Sequence, residues 1–158
     1  THSGIDVDSG SVVLGCSAHS NTVDGITSGG EGVCISECSA RGNLGDGIQV
    51  ANDSRVVGNV CDSNGAGTGD GAGIHATGSD NRIEGNNCTD ADRGIEVDMA
   101  GNLIIRNSCS GNTVNWDIVA NNVCGPILDR TSPGSAAILG NSASSSLGST
   151  DANANYSY

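Results

Sequence analysis

An isoleucine returns along this chain at Ile5, Ile26, Ile48, Ile74, Ile95 and Ile118, at intervals of 21, 22, 26, 21 and 23 residues. Five of the six follow a glycine, at Gly4, Gly25, Gly47, Gly73 and Gly94; Ile118 follows Asp117. A period of this length marks a repeat architecture. A unit so short cannot bury its apolar face alone, so it stacks on its neighbours.

Further columns align with the first. Gly15, Glu37, Gly58, Gly85 and Arg106 hold a common position, and two residues before it stand Val13, Ile35, Val56, Ile83 and Ile104. One residue after it come Cys16, Cys38, Asn59, Asn86 and Asn107; three after it come Ala18, Ala40, Cys61, Cys88 and Cys109. Six after it come Asn21, Asn43, Asn64 and Asn112, with Ala91 in the fourth coil. Segments such as Ile5-Asp6-Val7 and Ile95-Glu96-Val97 alternate with period 2, which is a strand signal. Glycine, Asn and β-branched residues disfavour helical repeats. The expectation is an all-β parallel solenoid of about six coils, rising about 4.8 Å per coil, with the Ile column inside. Asn residues in register bond along their own column, as in cross-β ladders.

The repeat occupies residues 1–124. From Gly125 it dissolves into Pro126, Pro133, a Ser-rich run and two terminal tyrosines, so 125–158 reads as a C-terminal cap or tail over the open end. Only four residues precede Ile5, so the first coil is expected to be uncovered. A chain without an initiating Met that begins inside a repeat reads as processed or excised. The fourth coil is delayed by a glycine-rich connection, Gly65 to Gly73.

Six Arg and no Lys stand against 18 Asp+Glu, a formal charge of −12. That argues against nucleic acid and anionic membranes as partners, since both need a basic footprint. No apolar run reaches the roughly 20 residues of a membrane span. Seven cysteines leave two arrangements open. The columns Cys16/Cys38 and Cys61/Cys88/Cys109 are either a ladder of free thiols or a source of one or two disulfides, because strand spacing suits both. Zinc is not expected from the cysteines, since no C-x-x-C pair occurs and the His residues are not spaced with them. Cys34 precedes inward Ile35, so alternation places it outward, either covered by the tail or a partner or left as an exposed thiol.

The residues that follow the Ile column face outward: Asp6, Thr27, Gln49, His75, Glu96 and Val119. Two further on come Asp8, Gly29, Ala51, Thr77, Asp98 and Asn121. His75, Glu96 and Asp98 form the best acid–base constellation and are the candidate catalytic residues, because adjacent coils bring such side chains within hydrogen-bonding reach. Gly-Asp-Gly at 45–47 and 69–71 makes Asp46 and Asp70 candidate Ca2+ ligands, although a nonapeptide period is missing. Arg41 beside Asp62 reads as a surface ion pair. A third outward face mixes Val12, Leu14, Val57, Leu103 and Ile105 with Arg55, Arg82 and Glu84, and calls for coverage by the tail or another subunit.

Asp46-Gly47-Ile48, Val57-Gly58-Asn59 and Asn102-Leu103-Ile104-Ile105-Arg106-Asn107 resemble the repeats of right-handed parallel β-helix proteins, the superfamily of pectate lyases, polysaccharide epimerases and phage tailspikes. The closing Asn121-Asn122-Val123-Cys124-Gly125-Pro126-Ile127 and Asn153-Ala154-Asn155-Tyr156 resemble the end of bacterial secreted β-helix repeat proteins of no assigned function. The resemblance implies a right-handed β-helix at a bacterial cell surface or outside the cell. In its sugar-acting members the chemistry sits on an outward sheet face, with carboxylates for Ca2+ and an Arg or Lys as proton acceptor. Here no Arg stands in the two outward columns, and Arg93 only flanks them. Two functions are therefore carried forward. One is a non-catalytic structural or adhesive module that assembles end to end with copies of itself or binds cell-surface polysaccharide, without a cofactor. The other is a carbohydrate-active enzyme of lyase or hydrolase type, or a Ca2+-dependent sugar-binding module.

Overall fold

The computed structural model describes residues 2–66, 71–129 and 151–158. Among these there is no helix, and the chain winds through successive coils of three short strands. Coil one holds β1 (Ile5–Val7), β2 (Val12–Leu14) and β3 (Ser17–His19). Coil two holds β4 (Ile26–Ser28), β5 (Cys34–Ser36) and β6 (Ser39–Arg41), and coil three β7 (Ile48–Val50), β8 (Arg55–Val57) and β9 (Val60–Asp62). Coil four holds β10 (Ala72–Ala76), β11 (Arg82–Glu84) and β12 (Asn87–Thr89), and coil five β13 (Arg93–Val97), β14 (Leu103–Ile105) and β15 (Ser108–Ser110). Coil six holds β16 (Val114–Ile118), β17 (Val123–Cys124) and β18 (Ile127–Asp129), and β19 (Asn155–Ser157) follows.

First strands stack on first strands as sheet A, β1-β4-β7-β10-β13-β16; second strands make sheet B, β17-β14-β11-β8-β5-β2. Third strands make sheet C, in the order β18-β19-β15-β12-β9-β6-β3. Every pairing is parallel, and the register aligns Ile26 with Ile48, Ile48 with Ile74 and Ile74 with Ile95. These four isoleucines and Ile35, Val56, Ile83 and Ile104 of sheet B are fully buried. Each such side chain contributes about 1.5–3 kcal/mol by leaving water.

The corners explain the other columns. Gly15, Glu37, Gly58, Gly85 and Arg106 all have left-handed backbone, with φ from 55° to 68°. This single-residue bend turns sheet B into sheet C. The next residue then faces inward as an Asn, in the ladder Asn59–Asn86–Asn107–Asn155. Each Oδ1 accepts both the backbone N–H and the side-chain amide of the Asn one coil below, at 2.9–3.2 Å. Asn21, Asn43 and Asn64 repeat the device at the corner after sheet C. Asn102 and Asn122 repeat it between sheets A and B, and Asn81 joins them through its backbone N–H alone, its side-chain amide donating to the Gly78 carbonyl. Burial of an unpaired amide is costly, so these ladders satisfy the corner backbone without water.

The glycine before a column isoleucine follows from the second ladder wherever that ladder has its Asn, while Gly73, beside the Ala91 coil, is packed by Cys88 and the Gly94 carbonyl instead. A Cβ on Gly25 would lie 2.7 Å from Asn43 Nδ2 and 2.6 Å from the carbonyl of Gly47. On Gly47 it would lie 2.7 Å from Asn64 Nδ2. Glycine and asparagine are thus one packing unit, read twice in the sequence.

Coil six departs from the expected register. Trp116, not Ile118, pairs with Ile95, and Ile118 pairs with Val97. The outward residue beside Glu96 is therefore Asp117 and not Val119. Among the described residues no full coil lies beyond it, and this position takes an indole. Trp116 stays half-buried and its Nε1–H donates to Ser157 Oγ at 2.7 Å.

The described strands of the segment expected to be a cap or tail, β18 and β19, pair into sheet C. β19 lies between β15 and β18, and Asn155 and Ser157 are buried. Residues 152 and 153 bond Arg106 through their carbonyls, beside Ile105, which is buried. Val12 and Leu14 at the other end of the same face stay exposed. Ile5 in coil one is half-buried. All seven cysteines are free thiols. Cys61, Cys88 and Cys109 stack fully buried in sheet C, and the hydrogen bond from each thiol to the next, with burial behind it, pushes the Cys61 and Cys88 thiols well up.

Candidate functional site

Sheet A positions the candidate residues. Its register sets Thr27, Gln49, His75, Glu96 and Asp117 side by side on the outward face of β4, β7, β10, β13 and β16. Asp98 lies just past β13, where its N–H donates to the carbonyl of Ala76 at 3.0 Å. The backbone is fixed by ladder bonds on both sides, so these side chains sit on a rigid surface.

His75 is the hub. Its Nδ1 lies 2.9 Å from Asp46 Oδ2, and its Nε2 lies 3.1 Å from Asp98 Oδ2 and 4.0 Å from Glu96 Oε2. The network runs on through Arg93, whose Nε is 3.4 Å from Glu96 Oε1 and 2.8 Å from Asp117 Oδ2. On the other side Gln49 Nε2 donates to Asp46 Oδ2 at 3.2 Å, and Thr27 Oγ1 donates to Gln49 Oε1 at 3.3 Å. Asp46 is the anchor. It is 4% exposed, and its Oδ1 accepts the Ala72 N–H at 2.7 Å.

Burial alone would depress the His75 pKa, but hydrogen bonds and charge from Asp46, with Asp98 and Glu96 behind, push it up to about 9. Burial raises the Glu96 carboxyl above the usual range, and Asp98 and Asp46 add to this against His75 and Arg93. Burial likewise raises Asp24, whose Oδ1 accepts the Asp46 N–H at 2.8 Å. The patch is strongly acidic around one imidazole, and it can hold a cation or hydrogen-bond a hydroxyl-rich ligand.

The structure therefore brings together His75, Glu96 and Asp98 and adds Asp46, which the sequence placed in a separate Gly-Asp-Gly motif. Asp70 of the second such motif lies outside the described residues. The role of Asp46 had one signal in the sequence. The position before the column glycine is Asp24, Asp46, Ala72 and Arg93 in successive coils, so it is charged in three of them. Arg93 gains Asp117 as a partner only through the two-residue shift of coil six.

Cys34, expected to face outward, covered or as an exposed thiol, is half-buried, in register between Val12 and Arg55. Arg41 and Asp62 make the expected surface pair at 2.8 Å, and Thr89 Oγ1 also donates to Asp62. The Arg41 guanidinium and the Thr89 hydroxyl outweigh the modest burial of Asp62 and hold its carboxyl below the usual range. An opening of about 320 Å3 lies at another corner, lined by residues that include Asp90, Asp92 and Thr113, and contains none of the His75 cluster. Among the described residues no helix is long and apolar enough to cross a membrane.

No curated protein and no solved structure matches the chain. The family model for the right handed beta helix region matches residues 1–143. With six coils of parallel strands on the page, the chain belongs to the right-handed β-helix family.

Proposed function

We propose that this chain is a non-catalytic β-helix module, structural or adhesive, of an extracellular or cell-surface protein of bacterial type. Its partners are polysaccharide or further copies of itself. The observation that carries the proposal is the saturation of the acid–base cluster. Both ring nitrogens of His75 are held by carboxylates, and Arg93 lies within bonding reach of Glu96 and Asp117. A general base needs to reach the proton it takes, in a form able to accept it. Every basic group on this face already faces a carboxylate. The one large aromatic of the coils, Trp116, is tied to Ser157 and offers no open platform for a sugar ring. The extracellular setting is supported by the likeness of the closing motifs to bacterial secreted repeat proteins.

An enzyme of carbohydrate-active type is the alternative, and one observation favours it. Glu96 is held above the usual carboxylate range, and its ligand atom lies within 4.8 Å of that of Asp98. A raised acid beside a second carboxylate is a glycosidase arrangement. One experiment separates the two. The protein is incubated with polyuronates and neutral polysaccharides, with Ca2+, while unsaturated uronate and new reducing ends are measured. No turnover is expected, with retention of polysaccharide or growth of the scattering mass with concentration. Turnover that disappears in Glu96→Gln or His75→Ala would overturn the proposal.

A further inference from the structure

The His75 cluster has the layout of a metal site, and this goes beyond the function proposed above. We propose that His75 Nε2, Glu96 and Asp98 bind one first-row divalent transition-metal ion of the Zn2+ or Co2+ class, with Asp46 as the outer carboxylate that sets the ring.

Donor spacing comes first. Such an ion sits about 2.0–2.2 Å from nitrogen and oxygen donors, so two donors that share it lie no more than about 4.3 Å apart. His75 Nε2 is 3.1 Å from Asp98 Oδ2 and 4.0 Å from Glu96 Oε2, and all three donor atoms lie within 4.8 Å of one another. The Asp98 side chain is held at His75 Nε2 and is 49% exposed, so only a small adjustment separates these spacings from those of a bound ion.

The ring is already oriented. A metal-binding histidine donates its other N–H to a carboxylate or carbonyl, which fixes the tautomer. Asp46 Oδ2 occupies that place at 2.9 Å from Nδ1, and Asp46 is itself pinned by the Ala72 N–H. Nε2 is then the nitrogen turned to Glu96 and Asp98. Asp46 is not one of the three donors and is almost fully buried, so it cannot be dismissed as one more surface acid.

Donor type and charge decide the ion. Ca2+ prefers six to eight oxygens, while imidazole with carboxylates suits transition metals. Three carboxylates surround one imidazole here, and Arg93 meets only the Oε1 side of Glu96 and shares its charge with Asp117, so a dication at Nε2 offsets negative charge that these groups leave. His75 and Glu96 stand on adjacent strands of one sheet, the rigid support that a preorganised site needs. Asp98 opens the remaining positions to water.

The test uses the full chain, treated with chelator, dialysed and titrated with CoCl2, ZnCl2 and CaCl2. Calorimetry should give one Co2+ or Zn2+ ion per chain, and Co2+ should show visible d–d absorption without a thiolate charge-transfer band. Glu96→Gln and Asp98→Asn should abolish binding, as should His75→Ala. Asp46→Asn should weaken it about 10–100-fold while leaving one site. Absence of Co2+ and Zn2+ binding, a thiolate band, binding unchanged in Glu96→Gln and Asp98→Asn, or Ca2+ bound as tightly would each overturn the proposal. If His75→Ala fails to fold by circular dichroism, the two outward carboxylate variants decide alone. Polysaccharide turnover does not enter this result, so either proposal can fail without the other.

Discussion

In coils two to five the isoleucine column of sheet A lies on itself, Ile26 on Ile48, Ile48 on Ile74 and Ile74 on Ile95, while the second inward column alternates Val50, Ala76 and Val97. Coil six instead sets Trp116 against Ile95 and leaves Ile118 half-buried against Val97. The middle of the stack is sealed on both sides, so an inward side chain there must match a neighbour above and below. Among the described residues the sixth coil has one full neighbour, and its strand position in sheet C is reached through β19. Like-on-like stacking therefore follows from being between coils, not from being in one.

The largest effect should come from charge placed in the two settings. Ile74→Asp puts an unpaired carboxylate in a fully buried column, a cost of several kcal/mol against a typical stability of about 5–15 kcal/mol. That variant should be unfolded by circular dichroism, while Ile118→Asp should fold with a modest drop in urea midpoint. Equal losses would show that coil six is as sealed as coil four.

The asparagine ladders give a smaller contrast. Asn86→Ala removes the acceptor of both Asn59 amides and the donor to Val56, all buried. A loss of about 2–4 kcal/mol is expected from the stranded groups. Asn122→Ala, at the half-buried end of its ladder, strands the backbone and side-chain amides of Asn102 but no partner above it, and should cost less, about 1–2 kcal/mol, by the same chemical denaturation. A mild Asn86→Ala would mean that water replaces the amide inside the stack.

The smallest effect separates the outward network from the stack beneath it. His75 has a folded pKa of about 9, above its ordinary 6.5, so its contribution is fully present below pH 6.5 and lost as pH rises through 9. Glu96, raised in the fold, adds destabilisation in the same direction once ionised. Water screening leaves an effect of about 1–2 kcal/mol. With chelator present, urea unfolding between about pH 6 and pH 10 should lose stability in the native chain and lose less in His75→Gln. Identical pH dependence in the two would show that the network contributes nothing to folding.

The coils and sheet A register were legible because glycine, isoleucine and asparagine each recur at one physical position. Two columns that looked separate, Gly25 and Asn43 for instance, prove to be one contact. The ladder Asn81–Asn102–Asn122 escaped notice because it has fewer members and begins only in coil four. The shift at coil six was hidden by Ile118 itself, an isoleucine near the expected place, while the slot held Trp116. At the candidate site, alternation placed His75 and Glu96 correctly. It could not place Asp46, whose carboxylate reaches the outward face from a corner where period 2 no longer applies.

The order of strands in sheet C has a consequence in time. β18 is synthesised before β19 yet lies outside it, with β19 against β15. Coils one to five can form in the order in which they leave the ribosome, each laid on the last. β18 cannot take its final place until residues 155–157 have been made. A chain that folds from its N-terminus would first lay β18 on β15 and must then reopen that pairing to admit β19. Among the described elements, the sixth coil is thus the part that cannot be finished as it is built.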